Sequence, residues 1–404
     1  MPLIAFLISR AASVFGLQIL TCTFIFRLVE NNIDALGLSQ LGLAATIASL
    51  AFAFPLGDLV DRISKRNAIL TSHMILLGLT LGLTIVNPQT FWPIIAATAC
   101  LAVARNFRSI SQFTVFGDLI KEKNQKDRWV NLSTLSWQMS SFLAPLLAGI
   151  LGSGQVSLII ASSCIGLSFF CQLYIVQFLT KTIHTLETSS ATITSHAVNH
   201  SSPQSLLPFL KNNFKLHASL LLDFFIVLFA GAASLLPFLH DGQNSTIDIG
   251  ILKSALPAGI IFGTWIRLQK NARDRWAEKL FLATFGYGIC HLFLAESPSL
   301  HLSYILLFGA GIFDAISLTV RECILQLETP AILKGRVYAL NNFLVNASDE
   351  LSEWESGLAA HWLGVRTAIR FSGLIAIAGA GVFLWKAKSQ TALSNCQQTR
   401  TAIF

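Results

Sequence analysis

Twelve segments of about twenty mostly apolar residues follow one another along the chain, at roughly 8–28, 37–56, 68–87, 91–116, 129–151, 156–179, 216–239, 247–267, 279–296, 302–324, 337–360 and 367–385. An α-helix of that length rises about 30 Å, the thickness of a bilayer's hydrocarbon core. Strands fit poorly. A barrel strand is about ten residues of alternating polarity, whereas 158–179 is apolar almost without interruption. Of all residues, 53% are hydrophobic and only 12% charged. Soluble domains carry about 25% charge, so a soluble enzyme and a disordered chain are both excluded. The expectation is an all-α membrane protein with twelve transmembrane helices in two pseudo-symmetric six-helix bundles. Arg10 interrupts the first segment and no small-residue cleavage site follows it, so this segment is expected to be a retained span.

The basic residues give the orientation. With both termini placed in the cytoplasm, the inner loops and tail hold twenty of the 28 Lys and Arg residues, including Arg62, Lys65, Arg66, Arg128, Lys215, Arg275 and Arg336. The outer loops hold almost none; Arg27, Arg366 and Arg370 are the exceptions. This is the positive-inside bias. It accounts for the net charge of +7 as a topology signal, without a nucleic-acid partner.

The longest polar stretch, 181–213, is rich in Ser and Thr and carries Pro203 and Pro208. It reads as a cytoplasmic linker between an N-terminal bundle (1–180) and a C-terminal bundle (214–386), with a cytoplasmic tail at 387–404. Gly57, Arg128 and Gly149 recur as Gly263, Arg336 and Gly357 at a near-constant offset. Duplicated halves of this kind are common in transporters. No metal site is expected. The seven cysteines are scattered without a CxxC pair, and His184, His196 and His200 lie in or beside the linker without ligand spacing. There is no phosphate-binding lysine loop and no enzyme constellation, so neither ATP use nor catalysis is expected.

Between the second and third spans runs Gly57-Asp58-Leu59-Val60-Asp61-Arg62-Ile63-Ser64-Lys65-Arg66. Gly57 permits close helix approach. Asp61 is placed to pair with a neighbouring base or to sit at a helix N-terminus. Arg62, Lys65 and Arg66 anchor the loop inside. The run resembles the G-x-x-x-D-R-x-G-R-R motif of the major facilitator superfamily, with Ser64 and Lys65 standing where Gly and Arg are usual. Further stretches are similar to the drug/siderophore proton-antiporter branch, as in enterobactin exporters: 104–107, 118–120, Asn131, 144–149, Leu222-Asp223-Phe224, and 314–357 from Asp314 through Arg321 and Arg336 to Glu350, Glu353 and Glu355. The resemblance implies the major facilitator fold, alternating access, and a cytoplasmic gate whose ion pairs form and break at Gly57, Asp61, Arg62, Lys65 and Arg66.

The residues also speak without the family. Charge at mid-bilayer costs about 2.5–3.5 kcal/mol on insertion scales, so such groups face the bundle interior and find partners. Asp314 and Arg321 are seven apart, on one helix face. Asn342, Asn346, Asp349 and Glu353 form a polar stripe with helical spacing, flanked by Glu350 and Glu355. Four carboxylates in seven residues do not readily all ionise in low dielectric. One of them is expected to hold a proton, as a coupling site requires. The alternative is hydration at the helix end, or pairing with Arg27, Arg366 or Arg370. Arg105 and Arg108 are intramembrane bases, suited to an anionic substrate group or to pairing with Asp118 or the acids near Asp349.

Together these observations imply a monomeric secondary transporter in a bacterial inner membrane, embedded in lipid, exporting a small amphipathic molecule. The proton gradient drives it and no cofactor takes part. Asp349, Glu350, Glu353 and Asp223 carry proton coupling; Arg105, Arg108, Asp314, Arg321, Asn342, Asn346 and Glu355 form the substrate pathway. A lysophospholipid flippase of the same fold, and a non-transporting membrane sensor or scaffold, are the alternatives.

Overall fold

A computed structural model describes residues 2–119, 126–189, 206–231, 233–240, 245–267, 275–330 and 333–401. The described residues form twelve long helices and one short one: α1 (Pro2–Glu30), α2 (Ala35–Arg62), α3 (Lys65–Val86), α4 (Phe91–Leu119), α5 (Lys126–Leu151), α6 (Gln155–Ser189), α7 (Leu206–Asn212), α8 (Phe214–Ala230), α9 (Thr246–Arg267), α10 (Trp276–Ala295), α11 (Leu300–Glu328), α12 (Lys334–Leu363) and α13 (Val365–Thr401). Eight of them are long and apolar enough to cross a bilayer on their own. The shorter or more polar α4, α8, α10 and α12 fall short of that threshold.

Helix ends fall where side chains satisfy free backbone groups. Asp34 accepts from the Gly37 N–H at 2.8 Å to open α2. Asn213 opens α8 and Ser299 opens α11 in the same way. Asn87 closes α3 in the left-handed region.

Two compact units result: 1–203 with 245–254, and 204–244 with 255–404. In the first, α1 packs on α5 and α6, while α2 and α3 pack on α4. The first turns of α9 belong to this unit, where Thr246 Oγ1 donates to the Gly149 carbonyl at 3.1 Å. In the second, α10 packs on α11 and α13, and α8 on α12 and α13. Lipid tails are as apolar as leucine, so such helices associate through close backbone approach and interhelical hydrogen bonds. Both occur. A Cβ added at Gly288 of α10 would meet the Gly373 carbonyl of α13 at 2.8 Å. In the first unit, Ser9 Oγ lies 2.8 Å from Ser168 Oγ and accepts from Gln172 Nε2 at 2.9 Å, tying α1 to α6.

Three expectations change. The seventh span, read as 216–239, is not one helix: α8 stops at Ala230, Gly231 is extended, and Leu236–Phe238 is a separate 3₁₀ turn. An added Cβ at Gly231 would collide with Ser352 of α12. Glycine here lets the break in α8 lie directly against the Ser352 side chain. The linker is narrower than 181–213, because α6 continues to Ser189 and α7 covers 206–212. No proline or glycine stands between 180 and 189 to stop α6. Linker positions His196 and His200 lie outside the described residues. Gly57, expected at a close helix approach, has no described atom within 4 Å of an added Cβ. The close approach occurs at its counterpart Gly263, whose added Cβ would stand 2.8 Å from that of Ala315.

Candidate functional site

In the first unit the interior polar groups gather where α1, α3 and α4 meet. Arg108 of α4 is 5% exposed. Its Nη1 donates to Ser13 Oγ of α1 at 2.8 Å and to Gln112 Oε1 at 2.9 Å. Gln112 Nε2 lies 3.3 Å from His73 Nε2, and His73 Nδ1 lies 2.8 Å from the Ile69 carbonyl. With its oxygen occupied by Arg108, Gln112 donates to His73. His73 then carries its proton on Nδ1 and donates to Ile69, so one directed chain runs from arginine to backbone. Arg10 of α1 and Arg105 of α4 stand close enough to act on Arg108 electrostatically, and both are half-buried. Sequence reasoning named Arg105 and Arg108 but missed Arg10, Ser13, His73 and Gln112. Gln112 lies one helical turn beyond Arg108, a spacing that would have found it.

In the second unit, Arg321 of α11 forms an ion pair with Asp223 of α8. Their side chains are 4% and 11% exposed. Asp314 lies two turns away along α11, while α8 brings Asp223 directly onto the guanidinium. Asp349 of α12 and Glu322 also act on Arg321 electrostatically. Asp314 and Asp349 both act on Tyr287 of α10. The Tyr287 hydroxyl reaches the Ala230 carbonyl at 3.5 Å, and Ser356 Oγ of α12 donates to the Gly231 carbonyl at 2.6 Å. Side chains from α10 and α12 thus satisfy the carbonyls freed where α8 breaks, as buried irregular backbone requires.

The α12 stripe is only partly borne inward. Asn346 and Asp349 are exposed on this unit, Glu353 and Glu355 are half-buried, and the most enclosed acid is Glu350, off the stripe at 7% exposure. The Asn342 side chain lies outside the described residues. Two of the proposed outer partners are engaged elsewhere. Arg27 donates to the carbonyls of Ser153 and Pro88 and to Asn87 Oδ1 at 2.9, 2.6 and 2.7 Å. Arg370 pairs with Glu296.

At the gate motif, Arg62 Nη2 pairs with Asp58 Oδ2 at 2.6 Å on an exposed helix edge. The Asp61 and Asp118 side chains lie outside the described ones. Lys65 and Arg66 are exposed in the first turn of α3. Ser64 is extended, and its side chain accepts from the Asn67 N–H at 3.3 Å. Where the motif usually has Gly, this chain has a helix cap. Among the described residues, no group of three or more His, Cys, Asp or Glu is placed to hold a metal ion.

Residues 6–349 match the family described as Major Facilitator Superfamily. The chain belongs to the major facilitator superfamily. No curated protein sequence matches it. Among solved structures it is similar to a POT family transporter in complex with a thioalcohol-conjugated peptide, at 12% identity, covering 96% of each chain, with a TM-score of 0.72. It is also similar to a bacterial homologue of the human lysosomal transporter Spinster, at 11% identity, 95% and 96% coverage and TM-score 0.65. A third likeness is to the nucleoside transporter NupG, at 11%, 95% and 99%, and 0.65. At such identity the likeness shows the fold alone. This superfamily member is a multi-pass membrane protein of the secondary-transporter kind.

Proposed function

We propose that this transporter exports a small amphipathic molecule, siderophore- or drug-like, by alternating access coupled to proton entry. It works as a monomer in a bacterial inner membrane with both termini cytoplasmic. The observation that carries the reading is the charge set of the second unit, in which buried Arg321 is paired with Asp223 and acted on by the more exposed Asp349. A guanidinium shared between two acids responds to the charge of each. Protonating one carboxylate strengthens the relative hold of the other, which gives a two-state element a proton biases.

Asp349, Glu350 and Glu353 are the proton carriers in this reading, and Asp223 is the fixed counter-charge. The break at Gly231, held by Ser356 and Tyr287, is where α8 and α12 feel the change. Arg105, Arg108, Asp314, Asn342, Asn346 and Glu355 belong to the cargo pathway. The run from Gly57 to Arg66 is the cytoplasmic gate, with Asp58 and Arg62 as its exposed latch. No cofactor is needed, since one charge moving through 100 mV yields about 2.3 kcal/mol.

The test is pH-gradient-driven transport in proteoliposomes, using the cargo that best raises thermal stability in a compound panel. Glu350→Gln and Glu353→Gln are expected to keep downhill exchange and lose acceleration by an imposed gradient. Unchanged acceleration in both overturns the assignment.

A further inference from the structure

α8 ends at Ala230 with buried chain still to follow, since Ser234, Leu235, Leu236 and Leu239 are all buried. The last carbonyls of a helix have no intrahelical partner and form the negative end of its dipole. Two of the carbonyls at this break receive hydrogen bonds: Gly231 from Ser356 Oγ at 2.6 Å and Ala230 from the Tyr287 hydroxyl at 3.5 Å. A carbonyl oxygen has two lone pairs, so each keeps one for a further partner.

Ser352 of α12 is turned onto the same break. It is 5% exposed, and its Oγ stands against the position that a Cβ on Gly231 would take. A helical serine commonly returns its proton to a carbonyl three or four residues back, as Ser348 does to the Val345 carbonyl at 3.0 Å. Ser352 makes no such bond among the described residues. Ser234, three residues past Gly231, also has a buried Oγ with no hydrogen-bond partner. Buried hydroxyls are ordinarily satisfied.

We propose that the break in α8 binds a sodium ion, held by the Ala230 and Gly231 carbonyls and the Ser352 and Ser234 hydroxyl oxygens. Discontinuous membrane helices hold Na⁺ with freed carbonyls and helix C-terminal ends. Neutral oxygens suit a monovalent cation, whereas Ca²⁺ and Mg²⁺ call for carboxylates. No group of three or more acids, histidines or cysteines is placed to hold a metal among the described residues. The close seating of Ser352 on Gly231 favours Na⁺ over the larger K⁺. The site goes beyond the proton-coupled reading and does not depend on it.

Thermal unfolding of the full chain in neutral detergent, at fixed pH and fixed total chloride, tests this with the sodium, potassium, choline and ethylammonium salts. A ligand of the folded state raises Tm with its concentration. We expect a saturable rise with Na⁺ that choline does not give and that K⁺ gives only at higher concentration. Ser352→Ala and Ser234→Ala should each weaken the response about tenfold, while Ser348→Ala should leave it intact. If Ser352→Ala does not fold, Ser234→Ala decides. Equal Tm in Na⁺ and choline, or wild-type affinity in both variants, overturns the site. An equal rise with ethylammonium overturns the sodium assignment in favour of a cationic group on the cargo. A sodium response in a protein that moves no protons overturns the coupling reading and leaves the site standing.

Discussion

Asp223 and Arg321, on α8 and α11, form an ion pair with both side chains almost withdrawn from solvent. A buried pair of this kind contributes little net stability compared with apolar residues, but removing one partner strands the other charge. Asp223→Asn is therefore expected to destabilise the second unit by about 3 kcal/mol. The joint replacement Asp223→Leu with Arg321→Met should recover most of that loss. Thermal unfolding of the three proteins in one detergent checks it; an unchanged Tm in Asp223→Asn would contradict the pairing.

Arg27 closes one end of the first unit by joining α1 to the loops after α3 and α5 through three hydrogen bonds. A lysine offers a point charge in place of the planar fork. Arg27→Lys is expected to cost about 2 kcal/mol and to loosen the 87–90 and 152–154 loops. Hydrogen exchange should rise at both loops together. Faster exchange in only one would show that the arginine does not couple them.

Two glycines that look alike in sequence differ in consequence. At Gly231 an added Cβ collides with Ser352, whereas at Gly57 it meets no described atom. Gly231→Ala should lower Tm and slow transport several-fold, and Gly57→Ala should leave stability near the wild-type value. Equal effects of the two would remove the argument for a required break in α8.

Glu296 and Arg370 pair at the protein surface, and the hydrogen bond from Arg370 holds the Glu296 carboxyl below its ordinary range. A carboxylate lowered in the folded state stabilises above its unfolded pKa, and that stabilisation is lost as pH falls through the folded value. Below about pH 4.5, the Tm advantage of the wild type over Glu296→Gln should shrink to nothing. The pair is exposed, so the advantage is small even at neutral pH. A difference that persists at pH 3 would show another origin.

The twelve long helices are legible in the sequence because continuous apolar runs of bilayer length have few other solutions. The break in α8 is not, since Gly231, Ala232 and Ala233 read as an apolar continuation and the reason for stopping lies on α12, at Ser352 and Ser356. Arg105 and Arg108 stood out as charges in an apolar run. Arg10 did too, but only as an interruption; its meaning comes from α4 beside it. Spacing within a helix puts Asp314 and Arg321 on one face and says nothing of what faces them. The partner across the helix interface, Asp223, is set by packing that spacing does not encode. The gate motif drew attention to Asp61, whose side chain lies outside the described ones; the described partner of Arg62 is Asp58, one turn before it and off the motif's usual positions.

The central claim is that proton entry and cargo export are one cycle. Proteoliposomes loaded with a pH-sensitive dye report it directly when cargo is added without an imposed gradient. The account predicts cargo-dependent proton movement opposite to the cargo in the wild type, and its loss in the Glu350→Gln, Glu353→Gln double variant with cargo exchange retained. Cargo transport with no accompanying proton movement in the wild type would contradict it.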